Sequence, residues 1–158
     1  MSNIQTLNKV VEIAEKRRDE ARAALAQQQR ELQIALDQMQ QLQTYAQEAQ
    51  VRWSARSSSA GVDATQLFHH RQFMHKIDHA LEFQRGVLSN REALIERCQS
   101  QLMVAERDVA GLRKFTERKL QVLQQKAQRQ EQKATDEMAL SIHLRQSLAQ
   151  AQARGLRS

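Results

Sequence analysis

Histidine is the side chain with the clearest capacity for chemistry in this sequence. Four histidines lie close together: His69, His70, His75 and His79. On a helix, His75 and His79 share one face, because residues four apart are neighbours, and such a pair can hold a metal ion. No third ligand of a suitable type is placed beside them, so we predict no metal site. We interpret the cluster as part of a solvated helix face, and a pH-sensitive contact stays open as the alternative.

The sequence carries none of the motifs that are typical of enzymes. It has no glycine-rich phosphate loop, no GxSxG or HExxH pattern and no cysteine pair. The single Cys98 falls on a predicted core position, where a thiol acts as a small apolar side chain. A lone cysteine also fits a reducing compartment. We therefore predict no enzyme activity, no cofactor and no small-molecule substrate.

A basic stretch covers residues 113–133. It contains seven basic and two acidic residues, so it carries +5 of the chain's net charge of +6. The basic residues are Arg113, Lys114, Arg118, Lys119, Lys126, Arg129 and Lys133. A solvated helix face and a contact with an acidic protein surface explain this stretch equally well. Nucleic acid is the weaker interpretation, because Phe115 is the only aromatic residue there that can stack on a base.

A heptad pattern predicts a helix over the first part of the chain. Thirteen of fifteen positions spaced alternately by three and four residues are apolar. The positions are Ile4, Leu7, Val11, Ala14, Arg18, Ala21, Leu25, Gln28, Leu32, Ala35, Met39, Leu42, Ala46, Ala49 and Trp53. Such a narrow stripe is a coiled-coil seam, which needs a partner helix.

A second seam follows a stretch rich in serine. Residues 54–62 predict a loop, and Asp63 with Gln66 is typical of a capped helix start. Ten of twelve further heptad positions are apolar: Met74, Ile77, Leu81, Gln84, Leu88, Arg91, Ile95, Cys98, Leu102, Ala105, Val109 and Leu112. Two helices joined by a short loop run antiparallel.

The predicted fold is all-α: an antiparallel two-helix coiled-coil hairpin with a longer, overhanging second helix. The chain has no proline and only four glycines, which favours long helices. We predict a single coiled-coil domain over residues 1–158. Its helix 1 covers about 3–54, its loop about 55–62 and its helix 2 about 63–153.

The two seams also predict how the helices align. Pairing residues whose numbers add to about 123 sets Leu42 beside Leu81 and Leu25 beside Cys98, and places the midpoint in the loop. Helix 1 then runs out of partners near residue 119, and the apolar stripe of helix 2 becomes sparser beyond Leu112. Alanines and four polar residues weaken the seam, so we expect a slender rod that frays and gains stability from a partner.

Two aromatic residues flank the seam near the loop. Tyr45 and Phe73 have numbers that add to 118, which places them close together across the hairpin. With Gln38, Leu42, Ile77 and Ala80 they form a partly apolar surface stripe. Exposed aromatic residues mark protein contacts, and the alternative is that they only pad the edges of the seam. We expect Trp53 and Phe68 to close the loop end of the hairpin.

The sequence predicts a protein without a membrane span. It contains no run of 18 apolar residues, and its first residues lack the charged-then-apolar pattern of a signal segment. We therefore expect a cytoplasmic protein.

These features together resemble the FliJ family of flagellar type III export proteins. The resemblance covers nearly the whole chain and rests on residues 7–15 (LNKVVEIAE), 17–25 (RRDEARAAL) and 42–45 (LQTY). It implies a stalk-like component that binds the flagellar export ATPase, links it to the cytoplasmic domain of the export gate and escorts export chaperones. It also implies peripheral association with the inner-membrane export apparatus.

The resemblance further implies two partner-binding regions. The export gate patch falls on Gln38, Leu42, Tyr45, Phe73, Ile77 and Ala80. Its edge departs from the family pattern at Ala49, where an aromatic residue is expected, and at Gln84, where a histidine is expected. The ATPase end falls on Arg17, Arg18, Arg113, Lys114, Arg118, Lys119 and Lys126.

Three other functions stay open at this point. The first is the equivalent stalk of a virulence type III secretion system, which the sequence separates poorly from the flagellar one. The second is a generic coiled-coil dimer that serves as a scaffold, and the third is a nucleic-acid binder that uses residues 113–133.

Overall fold

The computed structural model describes residues 2–157 and contains two α-helices in that range. Helix α1 covers Ser2–Ala60 and helix α2 covers Ala64–Arg157. The helices are long because alanine, glutamine, leucine, glutamate and arginine, all good helix formers, dominate the sequence. The two helices pack against each other as a helical hairpin whose second helix is the longer, so the predicted fold class is confirmed.

The seam is where the heptads predict it. All fifteen predicted core positions of α1 and all twelve of α2 are buried or half-buried. The buried apolar side chains form a short series: Ala14, Ala35, Met39, Ile77 and Val109. Gln84 and Thr116 are the buried polar residues among those described. The core is one residue wide, so each side chain keeps an edge exposed to solvent.

The chain divides into two compact units, and the first is Ile13–Val109. Within it the two helices are antiparallel and tied together by contacts across the seam. Gln84 Nε2 donates to Gln38 Oε1 at 3.3 Å, and Arg91 forms an ion pair with Glu31. In both pairs the residue numbers add to 122, and the same two side chains also reach Ala35 and Gln28, where the numbers add to 119, so the contacts agree with a register near the predicted sum of about 123.

The second unit consists of Met1–Glu12 and Ala110–Ser158. Here Leu7, Val11 and Leu112 are half-buried, and Thr116 is 8% exposed. Thr116 Oγ1 donates back to the Leu112 carbonyl at 2.9 Å, which satisfies its hydroxyl inside the seam. Every residue of 117–157 is exposed. The apolar packing therefore ends at Thr116, three residues before the predicted end of pairing.

The prediction of a loop over residues 55–62 is wrong, because α1 continues to Ala60. The serines that suggested the loop instead donate hydrogen bonds back into the helix. The hydroxyls of Ser57, Ser58 and Ser59 bond to the carbonyls of residues 54, 55 and 56 at 3.1–3.4 Å. A serine that satisfies itself in this way is tolerated in a helix, so serine content alone does not end one.

The connection itself is residues 61–63. Gly61 has a φ of 70°, the left-handed conformation that ends many helices and that glycine adopts without steric cost. Asp63 Oδ1 accepts from the Gln66 backbone N–H at 2.7 Å, so the predicted helix cap is confirmed. Helix α2 then extends through Gly155 to Arg157, beyond the predicted end near 153.

Two further observations concern the chain as a whole. Neither helix, over the residues described, has a stretch apolar enough to cross a membrane. The prediction that residues 1–158 form a single domain stays a prediction.

Candidate docking surface

An exposed aromatic pair flanks the seam in the unit Ile13–Val109. The rings of Tyr45 and Phe73 meet edge to face, with centroids 5.7 Å apart and planes at 76°. The two side chains are 48% and 37% exposed. An edge-to-face contact is worth about 0.5–1.5 kcal/mol beyond the area that it buries. The pair therefore holds its own geometry while it still presents ring surface to solvent.

The two flanks of this hairpin unit differ in character. Tyr45 and Phe73 lie on one flank, and on the other the exposed Arg22 Nη2 lies 3.7 Å from Glu106 Oε1. Exposed ion pairs keep water at a surface and contribute little stability. The Tyr45–Phe73 pair is therefore the part of this unit suited to an apolar contact with a partner.

The structure places the other predicted patch residues at different depths. Gln38 is exposed, and Leu42 and Ala80 are half-buried. Ile77 is only 5% exposed, so its predicted place in the surface stripe is wrong. The heptad requires this result, because Ile77 is itself a core position.

Gln84 fixes the floor of this patch. Its side-chain N–H donates to the Ala35 carbonyl at 2.9 Å as well as to Gln38. Gln38, Leu42, Tyr45 and Gln84 line one shallow depression together. Four of the predicted or neighbouring patch positions are thus contiguous on a single surface.

A second depression lies next to the patch on the side of the loop. It is lined by Tyr45, Ala49, Arg52, Trp53, Arg56, His70 and Phe73. We call it the loop-side groove. Its wall is fixed by Trp53 and His70, whose rings stack face to face, with centroids 4.1 Å apart and planes within 4°.

This groove contains the residues that the sequence analysis missed. The histidines were interpreted as a solvated face, whereas His70 is half-buried against Trp53. The predicted register could have identified this contact, because the numbers of Trp53 and His70 add to 123. The prediction for the loop end is wrong for Phe68, which is 58% exposed; its ring meets the ring of the adjacent His69 edge to face, with centroids 6.0 Å apart.

The remaining histidines form no metal site in the described part of the chain. His75 and His79 meet edge to face with ring centroids 5.1 Å apart. Residues 2–157 contain no group of three or more His, Cys, Asp or Glu side chains placed to hold a metal ion.

The predicted ATPase-binding arginines of helix α1 have unequal access to a partner. Arg17 is exposed. Arg18 occupies a seam position, its side chain is 17% exposed, and its Nη2 lies 3.1 Å from Asp19 Oδ1. The Arg18 side chain is therefore held by its seam position and its ion pair with Asp19. Arg17 is the more accessible of the two cations for a partner.

The basic residues of helix α2 lie on exposed helix in the second unit. Lys114, Arg118 and Lys126 are exposed, and Lys119 Nζ lies 5.9 Å from the centroid of the Phe115 ring. Arg113 is exposed as well. This stretch therefore concentrates positive charge on α2 around and beyond Thr116, where the seam ends.

Comparison with known proteins gives one match. A protein-family model described as "Flagellar FliJ protein" matches residues 3–148, which is nearly all of the chain. No curated protein and no solved structure matches it.

Proposed function

This chain belongs to the FliJ family of flagellar type III export components, and we propose that it acts there as a stalk that binds the export ATPase and links it to the export gate and to export chaperones. The family is non-catalytic. The observation that carries the proposal is the family match across residues 3–148 together with the exposed Tyr45–Phe73 pair at the predicted gate patch. In this role the protein works in the cytoplasm at the inner-membrane export apparatus.

The gate contact is assigned to the aromatic flank. Tyr45 and Phe73 supply rigid ring surface, and Gln38, Leu42 and Ala80 surround them with smaller polar and apolar groups. Interfaces concentrate their binding energy in such aromatic anchors. Ile77 contributes by holding the flank in place from the core.

Replacing both anchors with alanine tests the gate contact. We expect Tyr45→Ala with Phe73→Ala to weaken binding to the cytoplasmic domain of the export gate at least about tenfold, because two aromatic anchors are lost. Phe83→Ala is the matched control, since Phe83 is 74% exposed and makes no ring contact with this pair. Unchanged affinity in the double variant, measured by calorimetry, would remove the gate patch from this flank.

The ATPase contact is assigned to the exposed basic stretch of the second unit. Its charge suits an acidic partner surface, which such a stretch attracts over several ångströms and binds less well at high salt. Arg17 is a separate candidate on helix α1, and Arg18 is a weaker one because Asp19 already holds it.

Neutralising the basic stretch tests this contact. We expect Lys114→Gln, Arg118→Gln and Lys126→Gln together to reduce stimulation of the purified flagellar export ATPase several-fold, because the attraction between unlike charges is lost. The control carries the same loss of charge at three exposed arginines of the paired helices: Arg85→Gln, Arg97→Gln and Arg107→Gln. If the two triple variants stimulate equally, the basic stretch is not the ATPase contact. No stimulation by the unaltered protein would count against the stalk itself.

The other functions are separated by simple measurements. The family match favours the flagellar system over a virulence secretion system. A scaffold dimer would give twice the monomer mass of 18.2 kDa in sedimentation equilibrium, whereas the hairpin satisfies its own seam as a monomer. A nucleic-acid binder would bind DNA or RNA at low salt through residues 113–133.

A further inference from the structure

We propose that the loop-side groove binds an acidic segment of a protein partner and accepts one large apolar side chain of that segment over Ala49. The proposal extends the docking face of the proposed function toward the loop and rests on that function for its biological setting. The groove shares Tyr45 and Phe73 with the gate patch and Ala49 with the edge of that patch, and it adds Arg52, Trp53, Arg56 and His70. Its test needs neither the gate nor the ATPase.

The first argument is the shape of the groove. Tyr45, Ala49 and Trp53 are spaced by four residues, so they follow one another along one face of α1. The small side chain of Ala49 leaves a gap between two large rings. His70 and Phe73 of α2 form the opposite wall. An incoming side chain would therefore be surrounded by rings on both sides.

The second argument is that the walls are already in place. Trp53 is stacked on His70 with centroids 4.1 Å apart, and Tyr45 meets Phe73 at 5.7 Å. Each ring of α1 is thus fixed by a ring of α2. A groove whose walls are held in the free protein loses less entropy when a partner binds.

The third argument is size. The volume of the groove is about 260 Å³. Pockets for small molecules and cofactors are typically about 300–1,000 Å³, and they surround most of the ligand. This shallow groove is below that range and open to solvent. It fits one side chain of a protein segment better than it fits a whole cofactor or substrate.

The fourth argument is charge. Arg52 and Arg56 line the groove, and the Arg52 side chain is 71% exposed. Its Nε donates to the Glu48 backbone carbonyl at 3.4 Å, and its Nη2 lies 3.9 Å from Glu48 Oε2, so several of the five guanidinium N–H groups stay available for another carboxylate. Residues 45–76 contain four basic and two acidic side chains. The rim therefore attracts carboxylates and disfavours a basic segment.

The same geometry argues against single-stranded nucleic acid. Bases stack on open ring faces, but one face of Trp53 is occupied by His70, and in the Tyr45–Phe73 pair the edge of one ring covers a face of the other. Two rim arginines also provide few phosphate contacts compared with the extended basic grooves of nucleic-acid binders.

Selection from displayed peptides tests the proposal directly. The full chain is immobilised and used to select randomised peptides of about a dozen residues, and the enriched peptide is then measured in solution by fluorescence anisotropy. We expect an enriched pattern of one aromatic or large aliphatic residue flanked by Asp or Glu. The same peptide with Asn and Gln in place of its acids should bind about tenfold more weakly, and binding should weaken as salt is raised.

Two variants of the protein keep the test specific. Arg52→Glu with Arg56→Glu reverses the rim charge, and Ala49→Trp fills the gap; because Ala49 is also a half-buried seam position, circular dichroism must show that this variant keeps the helical hairpin. We expect either change to weaken binding of the enriched peptide at least about tenfold. The control is Arg85→Glu with Arg97→Glu, which has the same charge change on exposed residues outside the groove and should bind as the unaltered protein does.

Several results would overturn the proposal. They are no enriched pattern, a basic or neutral pattern, full binding by Ala49→Trp, equal loss in the control variant, or a tighter affinity for a single-stranded oligonucleotide than for any peptide. Failure of these experiments leaves the gate and ATPase measurements unaffected. Conversely, a protein that fails to bind the gate domain can still select the acidic peptide.

Discussion

At the scale of single residues, the seam is defined as much by its polar members as by its apolar ones. Gln84 is 7% exposed and donates to the Ala35 carbonyl and to Gln38, and Arg91 donates to Gln28 Oε1 and pairs with Glu31. No side-chain N or O atom buried in the described part of the chain lacks a hydrogen-bond partner. Gln84 and Arg91, the two polar residues of the α2 seam, therefore have specific partners on α1, so they favour one register of the two helices over others.

Selecting one register should lower the free energy of unfolding at Gln84, compared with an apolar residue there. We expect Gln84→Leu to raise the free energy of unfolding by about 1 kcal/mol, because leucine fills a seam position and the Ala35 carbonyl keeps its bond within the helix. Urea unfolding followed by circular dichroism measures the change. Gln101→Leu, at an exposed position, is the control and should stay within about 0.5 kcal/mol of the parent. A loss of stability in Gln84→Leu would show that the hydrogen bonds outweigh apolar burial.

At the scale of elements, the turn depends on backbone conformation. Gly61 has a φ of 70°, whereas Gly111 lies inside α2, and an added Cβ meets no atom within 4 Å at either position. We therefore expect opposite effects from the same substitution. Gly61→Ala should cost about 1 kcal/mol because alanine is strained at positive φ, and Gly111→Ala should add about 0.5–1 kcal/mol because alanine is the better helix former. Thermal or urea unfolding of the two variants gives the comparison, and equal signs would contradict it.

The same scale shows what the sequence predicts and what it does not. The seam follows from the heptads, because burial repeats with the period of the helix, and even the polar positions Arg18, Gln28 and Arg91 are half-buried as the period requires. The end of α1 does not follow from composition. The serines of residues 57–59 bond to carbonyls three residues back, and that choice between loop and helix depends on local geometry.

The candidate site was predictable to a similar extent. Tyr45 and Phe73 follow from the register, since flanking positions of an antiparallel pair meet across the seam. The burial of Ile77 also follows from its heptad position, although the sequence analysis placed it in the surface stripe as well. The stacking of His70 on Trp53 was harder to predict: His70 continues the heptad seven residues before Ile77, but histidine is common on solvated faces as well.

At the scale of the whole molecule, stability is distributed unevenly along the chain. Residues 13–109 contain all five buried apolar side chains, with Val109 at their boundary, whereas residues 117–157 have no buried or half-buried side chain. A helix in water without tertiary contacts is only marginally stable, because most helical stability in proteins comes from packing of an apolar face. The apolar side chains of residues 138–148 are exposed, so they do not supply it.

Hydrogen exchange should reveal this distribution. We expect backbone amides in the paired part of residues 13–109 to be the most protected and those of residues 121–157 to exchange orders of magnitude faster, because local opening there breaks no side-chain packing. If the basic stretch is the ATPase contact, adding the export ATPase should protect residues 113–133 and leave residues 65–105 unchanged, since binding stabilises only what it touches. The triple variant at Lys114, Arg118 and Lys126 should lose that added protection. Equal protection along α2 in the free protein would mean that residues 121–157 are stabilised by something other than the seam. The basic residues of 113–133 would then have a structural role in α2 to be tested before a partner contact.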